Sequence, residues 1–330
     1  MKLTSKYLHV GLLFAILITH TSVAQTQYLD EVFKIVEQYS IKRDSLDFEK
    51  IRKDAYAKLN NTKSMEDCYP IIRFILSELN DHHSFFMEKE DVNKWTSTSK
   101  TTNITPSSPY SGKVLINEIG FIEMQGFSSG DSISILEYAN NLQKLIKSID
   151  NRNIKGWILD LRQNTGGNCW PMLAGIGPFL GNGICGYFIG NDHNKSSWYY
   201  RDGVAGCDSV EISKVNNAPY NLINSNNPIA ILTGPLTTSS GEVIVTSFRG
   251  KTNAKSFGES TGGLSTGNSN YTLSDGSMIF LTTSIYADRL GTAYGGKIIP
   301  DNVVHFEDEK SNTDNDPVIK RAIEWIQGKK

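Results

Sequence analysis

Apolar residues recur three and four positions apart through the early chain. In "YLDEVFKIVEQYS" (residues 28–40) and "SMEDCYPIIRFILSEL" (64–79) charges fill the gaps, which predicts a helical region over residues 28–95. The pattern stops in "TSTSKTTNITPSSPYSG" (96–112), a Ser-, Thr- and Pro-rich stretch that reads as a linker or exposed loop. Beyond it, short apolar runs alternate with helical stripes. "KVLINEIGFIEM", "GWILDLR", "PIAILTG" and "SMIFLTTSIYA" read as strands. Asp131 and Ser132 can cap a helix whose Ile135, Tyr138, Leu142, Leu145 and Ile149 share one face, and "CWPMLAGIGPFL" and "EVIVTSFRG" supply further helices. Alternation of this kind predicts an α/β core with parallel pairing in at least part of its sheet.

The first 24 residues stand apart. Lys2 and Lys6 precede the apolar run "VGLLFAILI", followed by "THTSVA" with small residues at Ser22 and Ala24. That order predicts a signal peptide cut after Ala24; the run is shorter than the ~20 apolar residues of a spanning helix. The expected organisation is therefore a signal peptide (1–24), a helical domain (25–95), a linker (96–112) and an α/β core (113–330). Export to a periplasmic or extracellular location follows, with no membrane span in the mature chain.

A formal net charge of −2 and the lack of a basic stripe argue against a nucleic-acid partner. Export permits disulfides, and Cys68, Cys169, Cys185 and Cys207 allow three pairings that spacing cannot rank. No Cys-x-x-Cys pair is present, which argues against zinc. Asp81, His82 and His83 lack a spaced ligand partner set, so neither a metal nor a cofactor is expected. Oligomeric state is not legible.

Two strand-to-helix turns carry the candidate chemistry. In "ILDLRQNTGGN" Gly166 and Gly167 open a helix, and in "AILTGPLTTSSGE" Ser239, Ser240, Gly241 and Glu242 open another. Such turns lie beyond the carboxyl ends of strands, where α/β sheets bind ligands. Helix N-termini offer backbone N–H groups to a developing oxyanion. A Ser-rich turn is equally an ordinary helix cap, and Gly-Gly an ordinary turn. A nucleophilic serine needs a base. Among the histidines beyond residue 24, His82 and His83 sit in "LSELNDHHSFF", while His193 and His305 lie in undistinguished polar surroundings.

"GWILDLRQNTGG", "LTTSSGE", "SFGESTGG", "LSDGSMIFL" and "IIPD" occur in the order and spacing of the tail-specific, or C-terminal processing, serine peptidases. The chain resembles that family over roughly residues 113–304, with "LNDHHSFF" extending the match. The superfamily includes the tricorn core protease and the interphotoreceptor retinoid-binding proteins. The resemblance implies a crotonase-like (ClpP/crotonase) α/β core preceded by a small helical domain. It also implies a peptide or protein substrate and Ser239 as nucleophile. Ser240 and Gly167, or Gly166, would supply the oxyanion hole, and Asp160, Leu161 and Arg162 structural support. Leu264 stands where processing peptidases carry a catalytic lysine, whereas His83 matches the base of the tricorn-like branch.

Two departures accompany the match. Seventeen residues separate the helical part from the core, too few for the PDZ domain usual in processing peptidases. Tyr294 stands where the branch often has a glutamate that orients the histidine; Asp288, in "YADRLG", is the candidate acid, with another acid or a bare dyad equally admissible. The competing expectation is a module of the same fold that holds peptides or apolar ligands without cleaving them.

Overall fold

Burial on both sides of its central strands explains why the apolar runs from residue 113 onward lack a polar face. The computed structural model describes residues 23–97, 108–216, 218–306 and 315–328. The signal-peptide expectation for residues 1–24 falls almost wholly outside the described residues, as does most of the linker. The described chain divides into two units, one running to Asn93 and including Asn268–Thr283, the other comprising Lys94–Gly267 and Ser284–Lys330.

In the first unit, helix α1 (residues 23–39) buries Tyr28, Leu29, Val32, Phe33 and Val36, one face at a 3.6-residue period. They pack with α2 (Phe48–Tyr56) and α3 (Tyr69–Glu78), which contributes Ile72, Ile75 and Leu76. Asp47 caps α2 through Lys50 N–H at 3.0 Å. Strand β1 (Phe85–Met87) follows, then α4 (Lys89–Thr96). The helices do not close this core alone. The hairpin around "LSDGSM" adds Leu273, Ile279 and Leu281, and β1 pairs antiparallel with it, Phe85 opposite Phe280. Tyr69 donates to Asp275 Oδ2 at 2.8 Å, and the Tyr28 and Ser277 hydroxyls are 2.8 Å apart. The sequence reading assigned this hairpin to the α/β core; here it completes the helical unit.

In the second unit, a six-stranded sheet has β2 (Tyr110–Leu115) at one edge. Inward from it run β3 (Ile119–Met124), β4 (Gly156–Asp160), β9 (Ile229–Thr233), β10 (Ala254–Gly258) and β13 (Asn302–Val303). All neighbouring pairs are parallel except β2–β3. Residues 110–112, expected in the linker, thus belong to an edge strand. Alternation assigns the two faces. Trp157, Leu159, Ile229 and Ile231 pack under α5 (Ser132–Ile149), α6 (Cys169–Gly175) and α8 (Ser240–Phe248). Ile158, Ala230, Leu232 and Phe257 pack under α9 (Pro317–Gly328).

Between β4 and β9 the chain passes through α7 (Gly177–Leu180). An antiparallel meander follows: β5 (Gly183–Gly190), β6 (Lys195–Arg201), β7 (Val204–Cys207) and β8 (Val210–Lys214). Residues 284–288 of β12 (Met278–Asp288) pair with β5, Tyr286 opposite Phe188. The remaining strand, β11 (Thr266–Thr272), is the first arm of the "LSDGSM" hairpin. All four cysteines are free thiols, and no helix among the described residues is long and apolar enough to cross a membrane.

Candidate active site

Two loops leave the carboxyl ends of β4 and β9 and are tied to each other before either helix begins. Asn164, fully buried, makes the tie. Its side-chain oxygen accepts Gly166 N–H at 3.0 Å and its carbonyl accepts Thr238 N–H at 3.0 Å. Thr237 donates to the Leu161 carbonyl at 2.8 Å and accepts Gly234 N–H at 3.0 Å. The Ser240 hydroxyl donates to the Gly167 carbonyl at 2.6 Å. Thr237 and Ser240 therefore act as braces.

Ser239 differs. Its φ of 51° and ψ of −116° place a non-glycine residue in a region L side chains rarely adopt, a conformation that persists only where its surroundings enforce it. Glu242 enforces it from below. Fully buried, it accepts Ser239 N–H at 2.9 Å, the Thr261 hydroxyl at 2.5 Å and Gly263 N–H at 3.1 Å. Burial pushes its carboxyl up to about 7 against those hydrogen bonds.

The glycine turn presses on the same elbow. Gly166 has φ +95°, and a Cβ there would lie 2.8 Å from Ser239 Cβ; Gly167 has φ +115°, and its Cβ would lie 2.2 Å from the Phe127 carbonyl oxygen. Gly166 N–H is engaged by Asn164, whereas among the described residues no hydrogen-bond partner is found for the N–H of Gly167 or of Ser240. Replacing Gly166 by Ala should displace the Ser239 backbone. The expected result is a loss of activity of about 10²-fold, with stability falling by only about 1–3 kcal/mol. Peptide turnover measured beside thermal melting checks this, and equal losses of activity and folded protein would count against it.

The other sequence candidates stand as follows. His83, partly buried in the first unit, follows an Asp81 turn: Asp81 Oδ1 accepts His83 N–H at 3.0 Å and Ser84 N–H at 2.7 Å. Its carbonyl accepts Asn268 Nδ2 at 2.9 Å. Burial lowers the imidazole below its ordinary 6.5, with Asp81 pulling the other way. His82 is exposed, with φ 58°. No cluster of three metal-ligating side chains is present among the described residues. Asp288 is buried within its own turn. It accepts Leu290 N–H at 2.9 Å and Thr292 N–H at 3.0 Å through Oδ1, and the Tyr294 hydroxyl at 2.9 Å through Oδ2. Holding that turn accounts for its burial without a triad role.

Sequence reasoning passed over Asn164, although a polar residue two positions before Gly-Gly was a usable signal.

The chain is similar to known proteins. The nisin-resistance protein of Lactococcus lactis subsp. lactis is 27% identical over 307 residues, covering 91% of this chain and 86% of that protein. The solved structure of a lipoprotein from Streptococcus agalactiae superposes with a TM-score of 0.73 at 27% identity, covering 93% of this chain and 97% of that one. The photosystem II D1 C-terminal processing protease shares the fold, with a TM-score of 0.59 at 15% identity over 85% of this chain and 93% of that one. The profile of Peptidase family S41 matches residues 118–304, more than half of the chain, and the protein belongs to that family.

Proposed function

We propose that the protein is an exported serine peptidase that cleaves peptide bonds through an acyl-enzyme on Ser239. The observation carrying this reading is the strained Ser239 elbow at the start of α8, braced by Glu242 and Gly166 beside the Gly167 and Ser240 amides. His83 takes the Ser239 proton as Oγ attacks the substrate carbonyl. The N–H groups of Gly167 and Ser240 hold the oxyanion. The tetrahedral species collapses, the amine leaves with the proton from His83, and water then hydrolyses the ester. Gly166, its N–H committed to Asn164, serves by allowing the close approach.

A lowered imidazole pKa keeps His83 neutral, and so able to accept a proton, through mildly acidic solution. The acid limb of kcat/KM is therefore expected below the ordinary histidine value of 6.5: activity holds as pH falls toward it and is lost beneath it. His83→Ala should lower kcat/KM by about 10²–10⁴-fold and remove that limb. A limb above 6.5, or a variant that keeps its rate, would remove His83 from this role.

Substrates are peptides or proteins; the name of the nisin-resistance relative favours a short peptide. Export fits the leader-like residues 1–24 and the lipoprotein among the similar structures. Cleavage after Ala24 would begin the mature chain at Gln25, whose side chain bonds to the Ser64 carbonyl and the Thr62 hydroxyl. The second reading, a module that binds peptides or apolar ligands without turnover, is favoured by Tyr294 at the glutamate position and by an Asp288 carboxylate committed to its own turn.

A further inference from the structure

From Gly166 N–H to Asn168 N–H, every backbone polar group of the glycine turn but one has a partner among the described residues. Gly166 N–H goes to Asn164, and the Gly167 carbonyl accepts the Ser240 hydroxyl at 2.6 Å. Two more go to a single residue in the loop between β3 and α5. Phe127 N–H donates to the Gly166 carbonyl at 3.0 Å, and the Phe127 carbonyl accepts Asn168 N–H at 2.6 Å, a parallel bridge that brackets Gly167. Gly167 N–H is the group left over. The loop is itself anchored. The Phe127 ring lies against Tyr138 of α5 with centroids 4.4 Å apart, and Gln125 N–H donates to the Pro109 carbonyl at 2.7 Å.

We propose that Gly126 and Phe127 are positioning residues for the oxyanion hole, fixing through the Gly166 carbonyl the direction in which Gly167 N–H points. The inference rests on the peptidase reading of Ser239. A peptide unit is planar and trans, so a carbonyl and the N–H that follows it point in opposite directions. With the Gly166 carbonyl on Phe127, Gly167 N–H faces away from the loop. The Gly167 carbonyl faces away from it too, because Asn168 N–H is also on Phe127, and there it meets Ser240. Two glycines restrain the peptide between them very little. Turned over, that peptide would set a carbonyl where the oxyanion forms, replacing attraction by repulsion. Gly126 admits the bond that prevents this: a Cβ there would lie 2.8 Å from the Gly166 carbonyl oxygen.

Phenyllactic acid incorporated at position 127 turns that amide into an ester, which deletes the donor and keeps the ring. The test is kcat and KM for a peptide substrate, per folded molecule, beside the rate at which a fluorophosphonate labels Ser239, since its phosphoryl oxygen occupies the same hole. The expected result is a kcat and a labelling rate lower by about tenfold or more, with KM within about twofold and the acid limb of the pH profile unshifted. Gly126→Ala, which pushes on the same carbonyl with a methyl group, should give the same split. An ester at position 125 removes the bond to Pro109 in the same loop; it should lower melting and leave kcat alone. A folded position-127 ester or Gly126→Ala protein that keeps its kcat, or an equal loss from the ester at 125, would overturn the proposal while the peptidase reading stands. Failure of the folded wild type to label would remove both.

Discussion

Replacing Ser239 by Ala is expected to abolish peptide hydrolysis, a fall of ~10⁶-fold in kcat by analogy with serine peptidases stripped of their nucleophile. The fold should survive. Backbone groups of Ser239 make ties that shape the elbow: N–H to Glu242 Oε2 at 2.9 Å, and the carbonyl accepting the amides of Glu242 and Val243. Far-UV circular dichroism and melting should thus be nearly unchanged while turnover vanishes. Equal turnover by the two proteins would mean that the chemistry lies elsewhere.

The second large effect concerns stability. Arg162 is buried between two carboxylates, Asp160 at 2.6 Å and Asp316 at 2.8 Å, with side-chain exposures of 2%, 3% and 0%. Asp316 also receives the first amides of α9, Val318 at 2.9 Å and Ile319 at 3.1 Å. Asp316→Ala removes both functions at once. It leaves a buried guanidinium with Asp160 as its one remaining carboxylate partner among the described ion pairs, and it uncaps the helix that covers Ile158, Leu232 and Phe257. The expected cost is about 3–5 kcal/mol in urea denaturation, from the severed buried ion pair and the lost helix cap together. Asp316→Asn, which keeps a cap acceptor and loses the charge, should recover only about 1 kcal/mol of it. A loss under about 1 kcal/mol for Asp316→Ala would show that Arg162 is solvated from another side.

What could be read from the chain follows from the range over which each signal acts. β4 and β9 were visible because strands buried on both faces are continuously apolar, and α5 because its cap and stripe are local. The β5–β8 meander leaves no such pattern. Gly183 and Gly186, the paired Ser196 and Ser197, and Arg201 interrupt any alternation, and its order comes from partners across the sheet. β1 is three residues long, too short to register a period among the early helices. The second arm of the hairpin at 268–283 reads as a strand from sequence, but which core it completes depends on Tyr28 and Tyr69, some two hundred residues away. Helix α9, absent from the expected elements, does carry the helical period in its buried Val318, Ala322, Ile323 and Ile326.

The candidate site divides along the same line. Ser239, Ser240, Gly166 and Gly167 sit in short motifs whose spacing is itself the geometry, so they could be named. Asp288 drew attention as an acid near the expected place, yet its carboxylate is filled by donors within six residues of it.

The central claim is that the Ser239 hydroxyl is a nucleophile, and mass spectrometry of the folded wild type treated with a fluorophosphonate tests it most directly. The account requires a single adduct, located on the peptide containing Ser239 and absent from Ser239→Ala. A folded protein that takes up no label, or carries it on another residue, would contradict it.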